Sequence, residues 1–403
     1  MTPTPEIRNP AQEEWRAAME MTSSVFGDEL KDDEFERYSK TLVRERFYVA
    51  YEGAAPVGTA ADFPFILTVP GGELAAGGVT WVAVLPSHRR QGVLTQLMRR
   101  ELEDLHERGE PLAVLWATEA AIYGRFGYGM AAPHFDMDAD RSRFSLRGDP
   151  GARGKVQMLS LAAAVDPCMR VYERIRPHVP GFIARAREWW EAYRLADVEP
   201  WRRGASPKYV AAIEVDDEPA AYAIYRIKGE WEGGFPKGQV RVVEALAATP
   251  AAERELWRFL FGIDLTVRVD SRLDPGSSLP LMVEDARSLN LRLSEGLWLR
   301  IVDVGGALAG RSYANHDSVV LEVRDDFCPW NAGRWKVGGE VRRTEEPADL
   351  ELDVADLASV YLGAFTFSRL AQAERVRELK DGAVARADAL FRTPRPPYCP
   401  EDF

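Results

Sequence analysis

Cysteine and histidine are scarce in this 403-residue chain, which has three of the first and five of the second. Cys168, Cys328 and Cys399 lie far apart, with no Cys-x-x-Cys pair and no Cys/His zinc spacing. Neither a disulfide framework nor a metal centre is therefore expected. His88, His106, His134, His178 and His316 are equally scattered. No run of about 18 apolar residues occurs, which excludes a membrane-spanning helix. The opening MTPTPEIRNPAQEEW lacks the basic-then-apolar pattern of an export signal, so a cytoplasmic protein with no membrane partner is expected. Basic charge is in deficit: 51 Lys and Arg stand against 63 Asp and Glu, a net charge of −12. That argues against nucleic acid, whose phosphates require a basic face. A negative field attracts cationic molecules, although the same acidity serves solubility alone.

What is present is an ordinary globular composition, 46% hydrophobic, in a chain long enough for two to four domains with cores of their own. The first 150 residues predict an α/β domain. Glu13 to Met21 and Asp33 to Leu42 read as helices, and Arg46 to Glu52 and Pro56 to Val69 as strands around a Gly53 turn. Pro70-Gly71-Gly72 signals a hairpin into a strand ending at Val84. A helix from Gln91 to Glu107, a strand Leu112 to Ala117, a short helix through Tyr123 and a strand His134 to Ala139 follow. The breaker-rich Arg147-Gly148-Asp149-Pro150-Gly151 marks a boundary.

The chemistry concentrates between Val79 and Gly129. The apolar strand Val79 to Val84 runs through Pro86 into the basic turn His88-Arg89-Arg90-Gln91-Gly92. A helix follows, with Val93, Leu94, Leu97, Met98, Leu102 and Leu105 at helical spacing. Consecutive backbone N–H groups at a helix start favour an anion, and Gly92 permits close backbone approach, as a pyrophosphate requires. Past the next strand, Ile122-Tyr123-Gly124-Arg125-Phe126-Gly127-Tyr128-Gly129 presents a phenol, Tyr123.

A second α/β segment covers 151–296. Asp166 to Arg174 and Ala184 to Ala192 predict helices, Tyr209 to Val215, Ala220 to Lys228 and Gln239 to Ala247 strands, and Glu253 to Phe261 a helix. Its strand-then-helix step parallels Val79 to Leu105, which points to an internal duplication. The connecting turn Ala248-Thr249-Pro250-Ala251-Ala252 has no glycine and no basic pair, so this copy reads as structural. From 297 to 403 the pattern changes. LWLRIVDVGGAL reads as a strand and helix, and HDSVVLEVRDD as a strand. Asn331 to Trp335 reads as a turn, with helices at Asp353 to Leu357 and Thr366 to Ala371 and onward through Ala373 to Leu390. The tail PRPPYCPEDF is proline-stiffened.

The strand, basic turn, glycine and tyrosine segment in this order resemble the GNAT acetyltransferases, although Leu94 stands where their loop carries Gly or Ala. The whole chain resembles the Eis family of N-acetyltransferases, on VAVLPSHRRQGVL, IYGRFGYG, LWLRIVDV and a terminal phenylalanine. The resemblance implies an α/β (α+β) architecture of tandem GNAT folds followed by a sterol-carrier-like domain. A catalytic copy would occupy 1–150, a degenerate copy 151–296 and the last domain 297–403. It implies acetyl-CoA as co-substrate, with no metal, held by Val82, Ala83, Val84, Arg90, Gln91, Gly92, Val93, Leu94, Thr95, Thr118 and Glu119. The family's general acid falls on Tyr123 and its base on the terminal carboxylate of Phe403. Phe26, Asp28, Glu401 and Asp402 become candidates for binding an amine such as an aminoglycoside or polyamine, and a homohexamer is implied.

The residue chemistry agrees. An amine attacks a thioester only after a base takes its proton. A terminal carboxylate, ordinarily ionised above about 3.3–3.7, can do so, while a phenol of pKa about 10 keeps its proton for the departing thiolate. Alternatives are a lipid- or acyl-CoA-binding regulator without turnover, and a protein lysine acetyltransferase.

Overall fold

A computed structural model describes residues 5–148, 154–215 and 217–403, so the expected boundary at Asp149 to Gly151 lies outside the described residues. The chain folds into two compact units, one of residues 1–132, 296–396 and 401–403, the other of residues 133–295 and 397–400.

The first unit opens with β1 (Glu6–Arg8), α1 (Gln12–Val25), α2 (Asp32–Tyr38), β2 (Phe47–Glu52), β3 (Ala55–Val69) and β4 (Gly72–Val84). Then come α3 (Val93–Glu107), β5 (Leu112–Trp116), α4 (Ala120–Tyr123) and β6 (Gly129–Asp140), whose residues from 133 onward belong to the second unit. The first four strands form an antiparallel meander, whereas β4 and β5 are parallel because α3 carries the chain across. One face of α3 supplies Val93, Leu97, Met98, Leu102 and Leu105 to the core. Glycine at Gly77 lets the helix settle on the sheet, since a Cβ there would stand 2.6 Å from Leu105 Cδ2. Beyond β5, the strand Arg292–Ile301 pairs antiparallel with it, Leu297 opposite Trp116 and Ile301 opposite Leu112.

The remainder of this unit is a five-stranded sheet in the order Arg342–Arg343, Gly333–Val337, Val319–Arg324, Leu350–Asp353 and Val376–Glu378. The helix Val354–Tyr361 is buried along its whole length. The helical run expected over Ala373 to Leu390 is corrected: it splits into the strand Val376–Glu378 and the helix Ala383–Phe391. Pairing of Leu350 with Glu378 and a left-handed Gly382 (φ +76°) impose the break, a tertiary constraint overriding local helix preference.

In the second unit the strands run in the order β6, Thr266–Leu273, Gly238–Ala247, Glu218–Lys228, Tyr209–Val215 and Lys155–Leu159. Gly238–Ala247 and Thr266–Leu273 are parallel across the helix Pro250–Phe261, repeating the β4–α3–β5 step of the first unit. The helix expected over Ala184 to Ala192 is also corrected. It spans only Arg187–Trp189 before widening into a π-turn at Trp190–Arg194. Two contacts hold that turn. Arg185 forms a buried ion pair with Glu244 while lying on the rings of Tyr172 and Trp190, 3.9 and 4.6 Å from their centres. Lys208 Nζ donates to the carbonyls of Arg194 and Ala196 at 2.6 Å each.

One buried ion pair ties the sheet of the first unit to its C-terminal part. Arg300 Nη2 donates to both oxygens of Asp325 at 2.7 and 2.9 Å, and Asp325 also accepts from the Cys328 amide and the Asn331 side chain. Replacing Arg300 by leucine leaves that carboxylate buried without its counter-charge, which costs about 3–5 kcal/mol. Chemical denaturation of Arg300→Leu should show a midpoint lowered correspondingly, and an unchanged midpoint would show the pair to be dispensable.

Candidate active site

The site begins where two strands separate. β4 is parallel to β5 only over Ala76 to Gly78, opposite Leu112 to Val114. Beyond Gly78, β4 pairs with β3 alone, while the end of β5 turns its other edge to Leu297 and Trp298. A bulge widens the gap. Register slips between Thr59 and Ala61, and Trp81 takes a left-handed φ of +52° that a bulky side chain rarely adopts. The Thr59 hydroxyl donates to the Trp81 carbonyl at 2.8 Å, and the Trp81 ring meets Tyr38 edge-on at 5.1 Å. The backbone of Val82, Ala83 and Val84 thus borders an opening on the β5 side, suited to an extended ligand lying as an added strand.

The basic turn follows at once. Arg90 and Gly92 both have positive φ, +62° and +83°, and Gly92 caps α3 with no side chain over the helix end. The first intrahelical bond reaches the Gly92 carbonyl from Gln96, which leaves the amides of Val93, Leu94 and Thr95 without helical partners. Arg89, Arg90 and Gln91 are exposed beside them. The corresponding helix of the second unit is closed instead: Thr249 Oγ1 accepts from the Ala252 amide, and Pro250 at the first position has no N–H. Its strand also bulges, between Val242 and Glu244, but there the buried Glu244 is held by Arg185 and Tyr222. The open amides and exposed basic side chains of the first copy suit an anionic group such as the pyrophosphate of acetyl-CoA, and the second copy offers neither at its helix start.

Tyr123 ends α4 and is 7% exposed, packed with Val79, Met98, Leu102 and Leu115 on the α3 face of the sheet. Burial, reinforced by the carboxyl groups of Glu101 and Glu119, pushes its pKa up to about 12, so it is protonated at neutral pH. Tyr128 lies 5.8 Å away from it, edge-on. Thr118 and Glu119 are exposed in the turn before α4.

Phe403 approaches from the other face. Its ring sits edge-on to Phe65 at 4.9 Å and to Phe63 at 6.4 Å. Phe63 pairs with Gly78, and a Cβ on Gly78 would collide with the Phe65 ring. Gly77 faces α3, so by strand alternation Gly78 and the three phenylalanines lie on the opposite side. Tyr123 and the chain terminus therefore flank the rung at which β4 and β5 part. The amine candidates are less uniform. Phe26 and Asp28 are exposed in the α1–α2 connection and Asp402 is exposed, whereas Glu401 is fully buried. Among the described residues no group of three or more His, Cys, Asp or Glu could hold a metal, and no helix is long and apolar enough to cross a membrane.

Comparison with known proteins agrees with this geometry. Acetyltransferase (GNAT) domain models match residues 6–131 and 181–301, and a sterol carrier protein domain model matches 304–400. An uncharacterized N-acetyltransferase of Streptomyces avermitilis is 41% identical, covering 99% of this chain and 100% of the relative. N-acetyltransferase Eis of Mycobacterium tuberculosis is 31% identical, covering 98% of each chain. The crystal structure of Eis1 from Mycobacterium abscessus superposes with a TM-score of 0.86 at 33% identity, covering 99% of this chain and 100% of that one.

The chain belongs to the Eis family of GNAT N-acetyltransferases. It is an N-acetyltransferase, and its GNAT fold implies acetyl-CoA as co-substrate.

Sequence reasoning passed over two features of this Eis-family site. The Trp81 bulge has no local signature beyond a tryptophan in an apolar strand. Glu101 was legible: it falls in phase with Leu97, Met98 and Leu105, an acid on the buried face of α3.

If the Gly92 amide run holds the pyrophosphate, its left-handed conformation is required. A side chain there costs about 1–2 kcal/mol and a β-branched one more, with little steric clash, since a Cβ meets only Gln96 Nε2 at 4.0 Å. Calorimetry of Gly92→Val should show acetyl-CoA affinity reduced about tenfold or more with the melting midpoint lowered by only a few degrees.

Proposed function

We propose that this Eis-family enzyme transfers acetyl directly from acetyl-CoA to amine groups of a cationic small molecule of the aminoglycoside or polyamine class. The observation that carries the reading is the parted rung, with Tyr123 on one face of the sheet and the carboxyl-terminal Phe403 on the other. Acetyl-CoA supplies the activated acetyl thioester. The amides of Val93, Leu94 and Thr95 bind its pyrophosphate, and the free edge of Val82 to Val84 orients the chain that leads to the sulfur. Tyr123 holds a proton on its phenol oxygen for the departing thiolate. The Phe403 carboxylate takes the proton of the attacking amine, directly or through water.

Cys168, Cys328 and Cys399 are all buried, and burial raises the thiols of Cys168 and Cys328, the latter to about 11, which supports direct transfer over a covalent intermediate. The acidic overall charge and the exposed Phe26, Asp28 and Asp402 suit a cationic acceptor. A homohexamer, implied by the family resemblance, is proposed with them. The exposed Trp231 and Phe235 of the hairpin Trp231–Pro236 offer apolar surface for contact between copies.

A thiol-release assay with acetyl-CoA against aminoglycosides, polyamines and lysine peptides tests the substrate class. Release with peptides alone would move the assignment to a protein lysine acetyltransferase, and none with any amine to a binding protein. Tyr123→Phe should lower kcat by about a hundredfold while acetyl-CoA affinity by calorimetry stays within about twofold of wild type.

The terminal carboxylate has a sharper signature. Appending one residue converts it to a neutral peptide and carries the charge about 3.3–3.6 Å onward. A C-terminal extension should abolish most turnover, an N-terminal one should not, and both proteins should bind acetyl-CoA. Full activity of the extended protein would remove Phe403 from the mechanism.

A further inference from the structure

Beneath Tyr123 lies a run of buried polar groups that the mechanism above does not use. Glu101 is 0% exposed on α3, between the turns that carry Met98, Leu102 and Leu105 into the cluster around Tyr123 and Tyr128. Neither of its carboxyl oxygens has a hydrogen-bond partner among the described residues. The Tyr128 hydroxyl, 1% exposed, has none either, and the same is true of Nε and Nη1 of the fully buried Arg300. On the other side Glu101 faces a charged cluster. Arg46 contacts Asp62 and donates to both oxygens of Glu110 at 2.6 Å, while Arg108 donates to the Tyr48 hydroxyl at 3.2 Å and lies 3.6 Å from Asp62. The Arg108 side chain is 30% exposed, so this cluster reaches solvent.

A buried polar group without a partner costs about 1–3 kcal/mol, and folds retain such groups where ordered water bridges them or where they serve function. Several in succession, starting beside a phenol that must give up a proton, describe a path. We propose that Glu101 and Tyr128 form an internal proton path, bridged by buried water, that returns a proton to Tyr123 after each acetyl transfer. The proposal rests on Tyr123 being the proton donor.

The balance is simple. The Tyr123 phenol loses its proton to the thiolate, giving the free thiol and a phenolate. The phenolate takes a proton passed along Tyr128 from the Glu101 carboxyl. The Glu101 carboxylate is refilled by one solvent proton entering at the Asp62–Arg108 end. No electrons change hands.

A path is needed because Tyr123 is almost fully covered by protein, and substrates filling the parted rung would close its remaining access to solvent. Glu101 is fit to hold the proton. Burial, then the negative charge of Asp62, drives its pKa well above the ordinary carboxyl value. The groups facing it are Asp62, Arg46, Arg108, Asp104 and Tyr48 on one side and the phenols of Tyr123 and Tyr128 on the other. The two guanidiniums oppose the shift but are already engaged by Asp62, Glu110 and Tyr48.

Glu101→Gln tests the path, because glutamine keeps the volume and hydrogen-bonding capacity but releases no proton. The expected result is kcat lowered about tenfold or more, with KM and acetyl-CoA affinity unchanged and an altered pH–rate profile. Tyr128→Phe, which keeps the ring packing, should behave alike and reads the same path if the glutamine variant folds poorly. The double variant should be no slower than either single one.

A second readout needs no turnover. A carboxyl that stays protonated in the fold, but ionises near 4.3 when unfolded, makes stability fall as pH rises above that value. Denaturation should show this slope in the wild type and a weaker one in Glu101→Gln, which should be the more stable protein at pH 7. Wild-type turnover in both single variants, with Tyr123→Phe impaired, would overturn the path and leave Tyr123 in place. Normal turnover in Tyr123→Phe would overturn the reading on which it rests.

Discussion

The parting of β4 from β5 after Gly78 is the constraint on which the site depends. A sheet that stayed paired through Val84 would satisfy its own backbone and leave nothing for a ligand strand to bond. Three features keep it open. Trp81 is held in a left-handed bulge by the Thr59 hydroxyl and an aromatic wall. α3 is seated low by Gly77, where no side chain intervenes. The free edge of β5 is taken by Leu297 to Ile301, so β5 is anchored on the far side and does not close on β4. The last of these explains why the C-terminal part of the chain belongs to the same unit as the first GNAT copy, with Arg300 and Asp325 fastening it from within.

The two GNAT copies differ chiefly at the start of the helix that spans the parallel pair. Both have a parallel pair spanned by a helix, and both have a bulge on the strand before it. In one, the helix starts at a glycine with its amides open. In the other, Thr249 and Pro250 close the end, and Arg185, Glu244 and Tyr222 occupy the region of the bulge. A buried ion pair of that kind is weak evidence of stabilisation.

Burial sets the protonation pattern of the first copy. Tyr123, Tyr128 and Glu101 are all shifted toward their neutral forms by desolvation. The Phe403 ring packs on the opposite face, against Phe63 and Phe65.

From sequence, period and punctuation identified most strands of the two copies, the crossover helices, the glycine turn at Gly92 and the turn at Thr249 that lacks glycine and a basic pair, because each is encoded within a few residues; the strands Glu6–Arg8, Lys155–Leu159 and Thr266–Leu273 were passed over. Long-range effects were not legible. The strand at Val376 exists because Leu350 to Leu352 offer an edge, and the π-turn at Trp190 follows from the Arg185–Glu244 pair. Glu401, placed by sequence among the ligand-facing acids, is buried by the folded C-terminal tail. Glu101 announced itself as an acid in an apolar phase, but only packing surrounded it with Asp62, Tyr123 and Tyr128. The sequence by itself determined where a glycine-capped helix start and the phenol after the next strand fall, since those are properties of neighbouring residues. Only the tertiary structure decided that Phe403, 280 residues beyond Tyr123, packs at the same rung on the other face, because that meeting depends on strand order and on which side of the sheet each side chain points.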